Sequence, residues 1–561
     1  MLTGAATRHQ QGPEQRHKPG AGARETDVQP FDQDEVAAFV RRLRGSFDDI
    51  YPGSWQIDWQ NIPSPFRWYE TTQQVELPPM PRRLVRGGAP QAVTVAQLGQ
   101  LSWLGALLQA SYGVAGIRWY PEGTAKSSPE QPAPVHRDAH YQLRRAVPSG
   151  GVTYPAECYV CTDGDAELAA GVYHYNAVRH SLARLATGRP PAGLASPDGG
   201  VRIVLTIPLW KNYFKYGDFS YRLAALDSGT VLGQFALTAR RWGWTCRVSL
   251  VGAELPLLRG LGLDPSVEAA PVVLDVRTAP TGGARGSGSA PGDGTRTAAV
   301  PDVPWRGAME MPDCSSGARR MHAACLATAG KSVDLPPIQL DGLPVDAQLP
   351  AAAGDPPTVA DAWARTALGE QYRSLPVSMD DVANWSAELL APLDGSVPAG
   401  TAGVPAHPRC LLIARSVGGL PAGAYLLHGD GRGLTRTAEG DFGPLVQRCL
   451  FGSYMNFAQA PLIAVLVGGA DVHCSPSGAV AYRAQHLLGG LFAQRLSVAA
   501  TRDGLSAHPV LGFVSGPLDD ALGLAARGLT SLLLVGISRY RRALYLESST
   551  HPVATGDGGG S

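Results

Sequence analysis

The sequence has no uninterrupted apolar run near the ~18 residues that a membrane-spanning helix requires. Its first residues, Met1 to Pro30, are polar and lack the apolar stretch of a secretory signal, so a cytoplasmic location is expected. Net charge is also missing. The 48 basic side chains are matched by 48 acidic ones, which removes any whole-protein electrostatic case for nucleic acid or an anionic membrane as partner. Cysteine is sparse: eight residues are scattered at positions 158, 161, 246, 314, 325, 410, 449 and 474, unlike a disulfide framework, and reduced thiols are expected. Cys158 and Cys161 have the spacing of half a zinc site, but no second pair accompanies them, so they read as core thiols and no metal is expected. No Walker or Rossmann fingerprint is present. His136-Arg137-Asp138 copies three letters of a kinase loop without the Gly-rich loop or Asp-Phe-Gly that should accompany it, and is read as chance.

What is there is long and globular. With 561 residues, 44% hydrophobic and 17% charged, the chain exceeds one compact core and predicts two or three domains at ~100–200 residues each. Residues 1–30 lack apolar periodicity and are expected to be a disordered tail. The tract PTGGARGSGSAPGDGTRTA, Pro280 to Ala298, has linker composition and divides the chain roughly in half.

The halves repeat. Laid over 476–504 without gaps, 215–243 coincides at Gly217/Gly478, Tyr221/Tyr482, Arg222/Arg483, Leu226/Leu487, Gly229/Gly490, Ala239/Ala500, Arg241/Arg502 and Gly243/Gly504. That clustering predicts a long helix with a Gly stop. Upstream, 169–185 pairs with 421–437, each a Gly-x-Tyr strand, a turn and another strand. Residues 94–113 and 378–391 each open with a Ser/Thr-x-x-Gln/Asp cap and carry apolar residues at helical spacing. The expectation is an α+β fold of two tandem units, 31–279 and 346–555, joined by a linker and connecting arm over 280–345. Together they would make one chain an intramolecular pseudo-dimer.

The sharpest local motif is RRAVPSGGVTYPAECYVC, Arg144 to Cys161, where a Pro-Ser-Gly-Gly turn precedes an apolar strand. Small residues let a backbone approach a flat ligand and leave N–H groups free to donate. An ordinary turn is the bland alternative. The strings RRAVPSGGVTYP, GVYHYNAVRHSLARL and KYGDFSYRLAALDSGTVLGQ, in this order and spacing, resemble the signature of SagB-type dehydrogenases within the nitroreductase-like superfamily. The resemblance covers most of 60–275, with 355–545 as a diverged copy.

This resemblance implies two nitroreductase-like units, FMN bound between them, and oxidation of thiazoline or oxazoline rings in a ribosomally made peptide. It implies an azoline-containing precursor peptide as substrate, a cyclodehydratase as possible partner and dioxygen as electron acceptor. It matches the family's catalytic Lys-Tyr pair to Lys215 and Tyr216, and assigns Arg145, Pro148, Ser149, Gly150 and Gly151 to the flavin site. An ammonium beside a phenol favours the phenolate needed to remove a ring proton. Adjacent residues on a strand would point to opposite faces, so the pair requires a turn or a helix start.

The second half has Pro476-Ser477 at the matching positions and no Pro-Ser-Gly-Gly, which predicts one competent site. Two sets of arginines compete for the FMN phosphate. Arg82, Arg83 and Arg86 match the family's Arg-Arg-x-x-Arg spacing in the first half, while Arg365, Arg373 and Arg539 lie in the second, which cross-unit binding favours. Gly512-Phe513 resembles the family's strand end near the flavin N5. Trp55, Trp59, Trp68 and Tyr69 read as core residues, with peptide binding as the alternative. Rival readings are another flavin oxidoreductase acting on a small molecule or cyclic dipeptide, and a peptide-binding scaffold without flavin.

Overall fold

The computed structural model describes residues 28–549, except 87–98, 120–140, 278–299, 307–315, 329–332, 336–341, 368–371, 392–408, 541–545 and a few isolated positions, Pro476 among them. The tail through Asp27, the Pro280–Ala298 tract, the cap expected at Thr94 and His136-Arg137-Asp138 all lie outside the described residues. Among the described residues, no helix is long and apolar enough to cross a membrane.

Each half builds an antiparallel sheet. In the first, strands lie in the spatial order Gln74–Glu76, Ser181–Thr187, Gly171–Asn176, Glu157–Thr162, Val201–Pro208, Glu268–Arg277, Thr245–Leu250. The second runs Ala347–Gln348, Gly433–Glu439, Gly423–Leu427, Arg409–Ala414, Leu462–Gly469, Leu529–Tyr540, with Ser506–Val510 also pairing to that last strand. The two orders correspond strand for strand. Glu157–Thr162 and Gly423–Leu427 are buried throughout, as central strands covered on both faces must be.

The aligned repeat forms the helices Ser220–Arg241 and Gly478–Arg502, whose residues from Ser220 to Ala239 and Ala479 to Ala500 are all buried. They are core elements with no solvent face, which explains their lack of amphipathic pattern. They cross at glycine: a Cβ on Gly229 would overlap the Leu487 carbonyl, and one on Gly490 would overlap the Leu226 carbonyl. This reciprocal contact is why Gly229/Gly490 and Leu226/Leu487 survive in both copies. The Ser378 cap is present, with Asp381 completing a capping box, whereas helix Gln100–Tyr112 starts at Gly99 without a side-chain cap.

The units are also interlocked. Strand Leu546–Ser549 of the second half pairs with Val114–Trp119 of the first. The connecting arm contributes more than a linker, because its helix Gly317–Ala327 docks on the first unit, where Ala318 N donates to Asp218 Oδ1 (2.8 Å). Asp218 also receives Arg42 Nη2 (2.5 Å) from helix Gln33–Leu43. The turn after Lys215-Tyr216 is therefore clamped from two sides by elements distant in sequence.

Candidate active site between the units

Lys215 and Tyr216 end the short helix Trp210–Tyr216, and Gly217, in a positive-φ conformation (50°), turns the chain into the long helix. The pair thus sits at a helix end rather than a helix start, and both side chains leave on the same side. Their tips meet at Gly151: a Cβ there would overlap the Tyr216 hydroxyl and lie 2.8 Å from Lys215 Nζ. A side chain there would push both tips aside, and the positive φ of 62° favours glycine. Lys215 Nζ lies 5.4 Å from the Tyr216 ring centroid, and burial lowers the Lys215 pKa.

The helix beneath is fixed by Lys211, one turn before Lys215. Buried Lys211 Nζ meets Glu157 Oε1 at 2.7 Å, and His174 Nε2 meets Glu157 Oε2 at 2.9 Å. Burial works to raise the Glu157 pKa, but Lys211 and His174 outweigh it and hold the carboxylate well below its usual range. Breaking such a buried group costs ~3–5 kcal/mol, so Lys211 and Glu157 act as the floor of the site.

The Pro-Ser-Gly-Gly turn comes between the units. Arg365 of the second unit, 4% exposed, donates Nε to Ala146 O (3.1 Å), and Gln494 Nε2 donates to the same carbonyl (3.2 Å). Burial and the Arg365 guanidinium push His508 down to about 4. Pro148 O accepts from Thr230 Oγ1 (3.1 Å). Ser149 Oγ donates to Asp227 Oδ2 (2.7 Å), and Gly150 N donates to the same carboxylate.

Gly512 approaches from the second unit. Its carbonyl accepts from Phe451 N (2.9 Å), and the Phe451 ring lies 6.2 Å from that of Phe219, three residues past Tyr216. The Phe513 side chain instead fills the second unit's core, 1% exposed. Trp55 packs 3.2 Å from where a Gly217 Cβ would stand. Tyr69 is tied to Tyr159 by their hydroxyls (2.7 Å), Trp68 lies under Arg179, and Trp59 is 43% exposed, so the aromatic segment is part core and part surface.

Arg373 and Arg539 face each other across paired strands Tyr372–Arg373 and Leu529–Tyr540, and both are exposed. Ser538 Oγ donates to Arg373 O (2.7 Å), and Ser506, opposite Ser538, reaches Thr366 beside Arg365. The three second-unit arginines therefore share one sheet end. Arg82 and Arg83 are exposed on helix Arg82–Arg86, which packs against helix Val359–Ala364. Arg145 points into the first unit, 4% exposed, its guanidinium 3.9 Å from the Tyr112 ring centroid.

Sequence reasoning missed Asp227, Lys211 and Glu157. Asp227 had a signal: it is the acid within the apolar stretch of the long helix, and the repeat carries Leu488 at that position.

No family model matches the chain. Over 142 residues, 23% of its length, it is 32% identical to the trifolitoxin-processing protein TfxB of Rhizobium leguminosarum bv. trifolii. Over 119 residues, 19% of its length, it is 31% identical to the microcin B17-processing protein McbC of Escherichia coli. The matched segments span only 38% and 44% of those relatives. A crystal structure from Anabaena variabilis, assigned to the nitroreductases, superposes with a TM-score of 0.65 at 18% identity and covers 90% of this chain and 99% of that one, so a single chain matches both units. The chain has the fold of a tandem nitroreductase and is similar over part of its length to the peptide-processing proteins TfxB and McbC.

Proposed function

We propose that the chain binds one FMN between its units and dehydrogenates thiazoline or oxazoline rings of a ribosomally made peptide to thiazoles or oxazoles. The observation that carries this reading is the meeting of Lys215 Nζ and the Tyr216 hydroxyl at Gly151, with Phe451 of the other unit packed against Phe219, three residues past Tyr216.

The donor set fits the cofactor. Arg373 and Arg539 are like charges directly opposite each other, an arrangement that costs stability, and among the described residues neither forms an ion pair. A phosphate turns that repulsion into binding. When bound, FMN supplies a two-electron acceptor that dioxygen regenerates.

The chain's own work is positional and acid–base. Tyr216 takes the proton from the ring carbon, and the Lys215 ammonium beside it stabilises negative charge on the phenolic oxygen. Arg365 holds the strand that leads into the Ser149 turn. Similarity to two peptide-processing proteins supports a peptide substrate. Because an azoline forms by ring closure with loss of water, a cyclodehydratase must act first and is the expected partner.

The test is incubation of FMN-loaded chain in air with a thiazoline peptide. The expected product is lighter by two hydrogens and absorbs as a thiazole. A yellow protein that leaves the mass unchanged would move the reading to a flavin oxidoreductase of small molecules, and a colourless one to a flavin-free peptide-binding scaffold.

A further inference from the structure

The turn beneath Lys215 and Tyr216 is wound against its own sterics. Gly151 (φ 62°), Val152 (φ 61°) and Tyr154 (φ 44°) all adopt the left-handed region. Glycine does so freely, but a β-branched valine and a tyrosine are strained there and stay only where their surroundings over-determine them. Tyr112 and Lys211 hold the Tyr154 carbonyl and Asn212 holds Thr153, but the donors at the start of the turn converge on one side chain. Asp227, 7% exposed within the long helix, accepts from Ser149 Oγ at 2.7 Å and from Gly150 N at 3.1 Å, and Ser149 Oγ itself accepts from Tyr154 N at 2.8 Å. The carboxylate thus grips the turn at its start directly and at its end through Ser149.

Asp227 is an expensive residue in that place. Among the described residues no cation pairs with it, and burial pushes its pKa up to about 7 against the pull of the Ser149 and Gly150 donors. The matched position in the second unit is Leu488, in the copy without a Pro-Ser-Gly-Gly turn. The buried acid and the strained turn occur together in one unit and are both missing from the other's sequence. A packing role alone would be served by leucine.

We propose that Asp227 is a positioning residue, a latch that winds residues 149–154 into their strained form and so keeps Gly151 beneath the Lys215 ammonium and the Tyr216 hydroxyl. The proposal rests on the reading of that pair as the reacting groups. Released from Asp227, Val152 and Tyr154 relax to negative φ, the turn moves, and the space the pair shares with substrate is lost.

The test compares Asp227→Leu, the second unit's own residue, and Asp227→Asn with the unaltered FMN-loaded chain. The readouts are amide hydrogen exchange and steady-state oxidation of a thiazoline peptide. Losing the two hydrogen bonds to Asp227 should speed exchange of the Gly150 and Tyr154 amides ~10-fold or more in Asp227→Leu. Exchange in strand Leu529–Tyr540 should not change. kcat should fall while KM holds, because the latch positions the reacting pair and does not grip the peptide. Asp227→Asn, whose amide oxygen still accepts from Gly150 N, should fall between, and it carries the comparison if the leucine variant does not fold. Turn exchange and kcat equal to those of the unaltered chain in both variants would overturn the latch. Faster turn exchange in a chain that oxidises no azoline even when unaltered would keep the latch and remove the azoline reading instead.

Discussion

Tyr216→Phe is expected to retain FMN and to lower azoline oxidation by ~10²–10⁴-fold, the usual contribution of a positioned general base. The substitution removes one oxygen atom and leaves the ring that packs against the first unit's core. Folding and cofactor content should therefore be unchanged. Lys215 supplies the pH signature. Its charged form is disfavoured by burial, so its pKa is lowered, and the stabilisation it gives the phenolate is present below that pKa and lost as pH rises through it. The rate should fall at high pH. Lys215→Arg, a cation across the accessible range, should carry that fall to higher pH. A double mutant Tyr216→Phe, Lys215→Ala no slower than the worse single would mark the two as one unit. Near-normal oxidation by flavin-loaded Tyr216→Phe would make the pair structural.

Arg373→Ala and Arg539→Ala should each weaken FMN binding by ~10- to 100-fold, since a hydrogen bond to a charged group is worth ~1.5–3 kcal/mol and 1.4 kcal/mol is tenfold in affinity. Arg82→Ala and Arg83→Ala should leave it unchanged. Each loss is read by titrating FMN into apoprotein and following fluorescence. Arg365→Ala is a different experiment: its guanidinium holds the Ala146 carbonyl, so its loss should loosen the approach to the Ser149 turn as well. If only the Arg82 and Arg83 changes empty the site, the phosphate lies with the first unit's arginines and the cross-unit geometry is wrong.

The repeat was readable because two helices pressed together at Gly229 and Gly490 tolerate no other residue there, and that constraint keeps letters in register. Lys215 and Tyr216 were readable as a motif, but their shared direction was not. It depends on a helix ending at Gly217 and on Lys211 reaching Glu157, far away in sequence. The role of Asp227 is not legible in sequence, because it depends on Ser149 and Gly150, about eighty residues earlier, converging on its carboxylate. The docking of Gly317–Ala327 at Asp218 and the pairing of Leu546–Ser549 with the first unit are long-range contacts that no local periodicity encodes. Arg365 was expected to hold the FMN phosphate from the second unit, and the group its Nε meets across the interface is the Ala146 backbone carbonyl.

The central claim is a duplicated fold with one flavin site, because the Pro-Ser-Gly-Gly turn, Lys215, Tyr216 and Asp227 all belong to the first unit and have no counterparts in the sequence of the second. Release of flavin by denaturation, followed by its absorbance against protein concentration, tests this most directly. One FMN per chain is the predicted result. Two per chain would contradict the single site, and none after reconstitution with excess FMN would contradict the flavin assignment itself.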